Sequence, residues 1–468
     1  MNKKNAPTGR TLAGQLAEHH ARLKYTQIPA GSRVAMKRLL LDYLGVAIAG
    51  SETDSGRVAR EFASLQGKAP EATLIGGGER VPMTPASFAN AISCHSIELD
   101  DIDVLALFHF SPPVFSAALA VAEAAQASGK ELLTALAAGC EVMERVSMAA
   151  NNDLRNRAFH TTPTCGVFGA TVAAGKLMRL NAAKLASALG LAGAQASGLM
   201  EMYGPSMQKR FNPGPAARNG VTAALMAKLG FTGADTIFEG ERGFLHAFAG
   251  GKKGSEISRR LGAAYELRIE FKPYSCARPI HNAIDCALEI RREHAPRIGA
   301  IEGIVVKRHP DWSEYHRNAT PRTYHEAQVS LPYSVAVAFV EGKALLAQYT
   351  DRKLKDPSIR RLMAVTRIET DASLPRGVSC HMTVKLASGE VHTAQVDYPK
   401  GSIENPMSDD ELRVKFDNLA IPVVGAMRAS RIADMVMRIE RCNDVGELMR
   451  LTAPSARGSQ ASRSARQH

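Results

Sequence analysis

The sequence predicts a mainly α protein: a large all-helical domain followed by a smaller α+β unit. Three observations predict it. Apolar residues recur at helical spacing from about Thr11 to Leu261. Beyond residue 265 short runs alternate apolar and polar, as half-buried strands do. Helical spacing then returns before the C-terminus. The boundaries that follow are 1–268 for the first part of the helical domain and 269–398 for the α+β unit. Residues 399–452 return to the helical domain, and 453–468 form a polar tail expected to be disordered.

In SRVAMKRLLLDYLGVAIAG, Ser32 is the expected N-cap and the apolar residues follow a helical period. SPPVFSAALAVAEAAQASG opens on Pro112 and Pro113, residues that suit a first helical turn. GKELLTALAAGCEVMERVSMAA and NAAKLASALGLAGAQASGL repeat the pattern, with Gly129 and Gly139 as punctuation. Their Ala- and Gly-rich faces allow close packing on nearly every side. In the second unit, ELRIEF, IEGIVVKRH and CHMTVKLASGEVHTAQVDY read as strands, the last a hairpin turning at LASGE. ARPIHNAIDCALEIRREH and EAQVSLPYSVAVAFVEGK read as helices, as do SDDELRVKFDNLA and ASRIADMVMRIERC.

Composition narrows the function. With 468 residues, 45% hydrophobic and 22% charged, the chain can bury a sizeable core over two or three domains. No stretch approaches the roughly 18 consecutive apolar residues of a membrane span. The N-terminal stretch is basic without an apolar h-region, so a secretion signal is not expected. Seven scattered cysteines without a C-x-x-C pair indicate reduced thiols in a cytoplasmic protein, and no structural metal site or cofactor is expected. The net charge of +12 is spread along the chain with few aromatic residues, so we read it as steering anionic metabolites, not nucleic acid.

Five segments hold the candidate chemistry. SCHSIELDDIDVLALFHFSPP gathers Glu98, Asp100, Asp101 and Asp103 ahead of His109 and of a helix start whose free N–H groups suit a carboxylate. NRAFHTTPTCGVFGA sets His160 at a helix entrance. MQKRFNPGPAARNG sets Lys209 and Arg210 before another, a reasonable anion clamp. FKPYSCARPIHNAID offers Arg278 and His281, and QVSLPYSVAVAF offers Tyr333. Taken singly, none of the five is specific: an acidic cluster is more often a solvated turn, and the others read also as helix caps, surface cations or structural hydrogen bonds.

Taken together and in this order, the segments resemble the MmgE/PrpD family, whose members include 2-methylcitrate dehydratase, cis-aconitate decarboxylase and iminodisuccinate epimerase. The likeness runs from about Leu39 to Phe416 through LLLDYLGVAIAG, ELDD…H, FHTTPTCGVFGA, KRFNPG, KPYSCARPIH, SLPYSVAVA and YPKGSIENPMSDDELRVKF. It implies a large helical domain with a smaller lid domain, a homodimer, and metal-independent chemistry on a small di- or tricarboxylate. It also implies catalytic roles for His109, His160, Lys209, His281 and Tyr333, with Asp100, Asp101, Arg210 and Arg278 binding substrate. Two positions depart from the family's habit: Ile102 stands where it commonly has threonine, and Asn212 where it has histidine.

The expected chemistry is removal of a proton next to a carboxylate, which requires a base and cations to stabilise the developing charge. A hydro-lyase similar to 2-methylcitrate dehydratase is the first expectation. A decarboxylase or epimerase on a related acid is the second, and a non-catalytic acid-binding protein the third. The site is expected between the two domains, with His281 and Tyr333 on the lid side.

Overall fold

The computed structural model describes residues 10–202, 206–251, 254–263, 267–375 and 377–454. All but the first two residues of the expected disordered tail lie outside the described residues. Helix α1 (Leu12–Arg22) starts where Thr11 accepts the Gly14 N–H, an ordinary N-cap. Helix α2 (Ala30–Gly50) begins directly after Pro29 and so engulfs Ser32, which is not its cap. Proline ahead of the first turn sacrifices no intrahelical bond there, and this overrides the serine signal.

The body's further helices include α3 (Met83–His95), α4 (Ser111–Ala124), α5 (Gly129–Ala150), α6 (Thr161–Leu177) and α7 (Pro213–Leu229). Ser128 and Glu131 close a reciprocal capping box at the start of α5. Gly139 does not interrupt that helix. It lets α5 press against α6 so closely that a Cβ added at Gly139 or at Gly169 would stand 2.7 Å from the other's carbonyl oxygen.

The lid begins with a 3-10 turn, Arg278–Ile280, and helix α8 (His281–His294). Its sheet comprises β1 (Ile301–Arg308), β2 (Thr366–Thr370), β3 (Cys380–Leu386) and β4 (Val391–Val396), with α9 (Leu331–Glu341) between β1 and β2. The strand order is β2-β1-β3-β4, with β2 parallel to β1 and the other pairs antiparallel. Strand β2 is short and largely exposed, so its sequence lacks the alternation that marks the others. The described part of ELRIEF, residues 267–271, does not join the sheet. Within it, Glu270 makes an isolated bridge to Ile102 of the body.

Two main cores result. One fills the helical body, and the other joins the lid's helices to its sheet through residues such as Ile284, Phe339 and Val384. Helices α10 (Asp409–Val424) and α11 (Ala426–Met437) return to the first core, α10 lying along α2. Lys415 of α10 pairs with buried Asp42 at 2.5 Å and donates to the Leu99 carbonyl at 2.7 Å, bracing the acidic segment from behind. All seven cysteines are free thiols. Among the described residues, no helix is long and apolar enough to cross a membrane.

Candidate active site

The acidic segment fills the turn between α3 and α4, and each carboxylate has a different task. Asp101 accepts the Phe110 N–H at 2.8 Å and the Ser111 N–H at 3.1 Å. The helix-start amides that suit a substrate carboxylate are thus occupied by the chain's own Asp101. This corrects its expected substrate-binding role: buried and bonded to backbone, it fixes the turn. Burial lifts its carboxyl to about 7, against the pull of the Ser111 contact. Asp103 likewise turns the chain, accepting N–H bonds from Leu105 and Ala106.

Asp100 lies at the centre of a buried array. Its Oδ2 is 2.6 Å from His95 Nδ1 and 3.2 Å from His109 Nδ1, while Oδ1 is 3.5 Å from Lys272 Nζ. Burial alone would push its pKa up, but His109, His95 and Lys272 outweigh that and hold the carboxyl well below the usual range. His109 Nδ1–H donates to the Asp101 carbonyl, which leaves the Nε2 lone pair on the other side of the ring. Burial, only partly offset by Asp100, lowers the His109 pKa to about 3, so the ring is neutral at pH 7. Ligand-capable atoms of His95, Asp100 and His109 lie within 4.8 Å of one another, a spacing that could hold a metal ion. Here both imidazoles donate from Nδ1 and Lys272 adds positive charge, so the array stabilises the Asp100 carboxylate.

Glu98 gathers the cations. Its carboxylate contacts Lys209 and Arg210 directly, and Lys272 lies 3.4 Å from Oε2. Burial opposes ionisation, yet these three cations keep the Glu98 pKa well below normal. Its backbone φ of 56° lies in the left-handed region, strain that the ion cluster holds in place. Lys209 is lowered to about 8, because burial outweighs the pull of Glu98. Arg210 is turned away from the cavity. It reaches Glu98 and Gln328 Oε1, the latter at 2.9 Å, and so joins body to lid instead of binding substrate.

His160 immediately precedes α6. The Asn212 Nδ2 amide donates to His160 Nδ1 at 3.1 Å and to the Met202 sulfur, also at 3.1 Å. The thioether can only accept, so the amide's NH₂ group must face this way. His160 Nδ1 is therefore an acceptor and Nε2 carries the proton. Burial, with His95 and His109 nearby, lowers the His160 pKa well below 6.5. His109 and His160 thus line one site as opposite tautomers.

A cavity of about 390 Å³ lies between body and lid. From the body, Glu98, His109, Arg155, His160 and Lys209 line it, with Ile102, Leu107 and Met200 as an apolar wall. Lys272 enters from the connection and Arg278 from the first turn of the lid, and the lid loop adds Trp312, Tyr315 and His316. Arg278 is held by Glu270 through Nε and Nη2 at 3.0 and 2.7 Å. His281 is not at the cavity. It is fully buried, accepting from Arg278 at 3.0 Å on Nδ1 and donating from Nε2 to the Cys276 carbonyl at 3.2 Å. With both nitrogens engaged, His281 positions Arg278.

Tyr333, expected at the site, is not among the residues that line the cavity either. It lies in the lid core, wholly buried, donating to the Gln348 carbonyl at 2.6 Å, and burial raises its pKa above the ordinary phenol value. Tyr333→Phe is therefore expected to leave kcat/KM unchanged while costing about 1–3 kcal/mol of stability, read from the urea midpoint. Sequence reasoning left out His95, Lys272 and Gln328. Lys272 had a signal: it opens the KPYSCARPIH string that also holds Arg278.

Comparison with known proteins agrees with this architecture. Residues 14–256 match the MmgE/PrpD N-terminal domain and residues 274–441 the MmgE/PrpD C-terminal domain. A cis-aconitate decarboxylase-like protein of Aspergillus oryzae is 29% identical, covering 96% of this chain and 98% of its own. The cis-aconitate decarboxylase of Aspergillus terreus is 26% identical, over 96% of each chain. That of Homo sapiens is 26% identical, over 89% of each. With both domains matched in order over a helical body and an α+β lid, the chain belongs to the MmgE/PrpD family.

Proposed function

We propose that this protein is a lyase acting on a small di- or tricarboxylate through proton transfer at a carbon next to a carboxylate. One observation carries the reading: His109 and His160, neutral and of opposite tautomer, share a cavity with Lys209, Lys272, Arg155 and Arg278. The cations hold substrate carboxylates and stabilise charge developing on carbon. His109 Nε2 offers a lone pair to a proton, and His160 Nε2 offers a hydrogen. An acid-binding protein without turnover has no use for such a complementary pair.

For the reaction itself we favour decarboxylation of a cis-aconitate-like acid, supported by the names of relatives spanning nearly the whole chain. There the C–C bond to a carboxylate breaks, its electron pair stays on the substrate carbon skeleton, and the proton from His160 replaces CO₂. Dehydration of a 2-methylcitrate-like hydroxy acid is the second reading. Ile102, Leu107 and Met200 favour it, because they form an apolar wall where a methyl group can rest. In that case His109 takes the C–H proton and His160 protonates the departing hydroxyl.

The test is an assay of the purified chain against cis-aconitate, 2-methylcitrate, citrate and iminodisuccinate, followed by NMR in deuterated water. CO₂ release supports decarboxylation, a new double bond with loss of water supports dehydration, and inversion with solvent exchange supports epimerisation. No turnover of any such acid would reject the proposal. The Lys209 pKa adds a second check. Loss of its charge should weaken carboxylate binding, so kcat/KM should fall as pH rises through about 8. Lys209→Arg should move that limb to higher pH, since guanidinium stays charged.

A further inference from the structure

Outside the cavity, a second cluster of ligating groups joins α1 to α5. His19 and His20, in the last turn of α1, face Glu141 of α5, and one ligand atom from each lies within 4.8 Å of the others. His20 Nε2 stands 3.9 Å from Glu141 Oε2. His20 is wholly buried, and among the described residues neither of its ring nitrogens meets a hydrogen-bond partner. The same holds for His19 Nε2. A buried polar atom left in this state costs about 1–3 kcal/mol, so two adjacent imidazoles in this condition call for a physical reason.

The surroundings suit a cation held by nitrogen and oxygen. Arg145 grips Glu141 Oε1 through Nε at 3.0 Å and Nη2 at 2.7 Å, and is itself anchored on the Arg259 carbonyl at 2.7 Å. That grip fixes the carboxylate and turns Oε2 towards His20, as outer-shell partners of metal ligands do. With no hydrogen-bond partner among the described residues, His19 Nε2 and the His20 ring nitrogens can turn a lone pair to a metal. His19 also lines an open cavity beside Ser258 and Leu261, through which water can supply a fourth ligand.

We propose that His19, His20 and Glu141 form a structural site for a zinc-type divalent transition metal, stapling α1 to α5. Two imidazoles and one carboxylate select such an ion over calcium or magnesium, which take oxygen ligands. Ligands about 2.0–2.2 Å from zinc stand closer together than these atoms do, so the rings swing inward as the ion enters. Because the site lies outside the catalytic cavity, turnover should survive removal of its metal.

The test uses the full chain, stripped by chelator and titrated with zinc chloride, with bound metal measured after equilibrium dialysis. One tight zinc per chain is expected, with a raised unfolding temperature as the ligand-linked stabilisation. His19→Ala and Glu141→Gln should each weaken binding at least tenfold and abolish the temperature shift. His19 is partly exposed, so His19→Ala decides the matter alone should Glu141→Gln fail to fold. Absence of stoichiometric binding overturns the proposal. So does binding that His109→Gln abolishes and His19→Ala leaves intact, because the ion would then sit on the His95–Asp100–His109 array.

Discussion

His109→Gln is expected to lower kcat by about 10²- to 10⁴-fold with the fold preserved, the range lost when a positioned acid or base is removed. The ring is held by Nδ1 alone, through the Asp101 carbonyl and Asp100, and glutamine's amide can keep one of these bonds. What glutamine cannot supply is a titratable lone pair. His160→Gln should lose comparable turnover by a different route, since it removes the proton donor and leaves the base in place. The two variants separate in deuterated water with whichever acid is turned over. On the dehydration route, His160→Gln should still exchange the substrate's C–H proton, and His109→Gln should not. Wild-type turnover in His109→Gln, or exchange that persists only in that variant, would refute the assigned roles.

Glu98→Gln should be the most destabilising single substitution at the site, at about 3–5 kcal/mol, because it leaves buried cations without their counter-charge. The shape is nearly unchanged, so the effect isolates charge from packing. Lys209, Arg210 and Lys272 all converge on this one carboxylate, and Lys209 and Arg210 contact the same oxygen. Against a typical total stability of about 5–15 kcal/mol, the loss should appear as a large fall in urea midpoint at pH 7. Removing Glu98 also removes what keeps Lys209 charged near neutrality, so the alkaline limb of kcat/KM should shift below pH 8. An unchanged midpoint would mean that solvent screens the cluster, against its burial.

The helical body was legible because its period repeats over many turns, and the hairpin because CHMTVKL and VHTAQV alternate around a glycine turn. Strand β2 was not, since TRIET lies at the sheet edge with little to bury. ELRIEF alternates for another reason: it crosses from body to lid, and its Glu270 faces inward to hold Arg278. At the site, the sequence brought out the histidines at helix entrances but could not say which way they point. Tyr333 and His281 sit beside helix starts just as His160 does, yet their polar atoms end on the Gln348 and Cys276 carbonyls. Likewise Asp101 and Asp100 are adjacent in sequence, and only the turn between α3 and α4 separates a helix cap from the carboxylate on which His95, His109 and Lys272 converge. Asn212 looked like the loss of a titrating group. In place it sets the tautomer of His160.

The chain has one tryptophan, and that residue, Trp312, lies on the lid loop at the cavity wall, its ring 5.4 Å from that of Tyr315. Indole emission from this molecule therefore originates at a single point, where the lid meets whatever enters. Its colour and intensity record the polarity of that point alone, undiluted by signal from the helical body. Without any label or engineered probe, the protein carries its own optical gauge of occupancy, on which ligand binding and lid movement can be followed in real time even when no product forms.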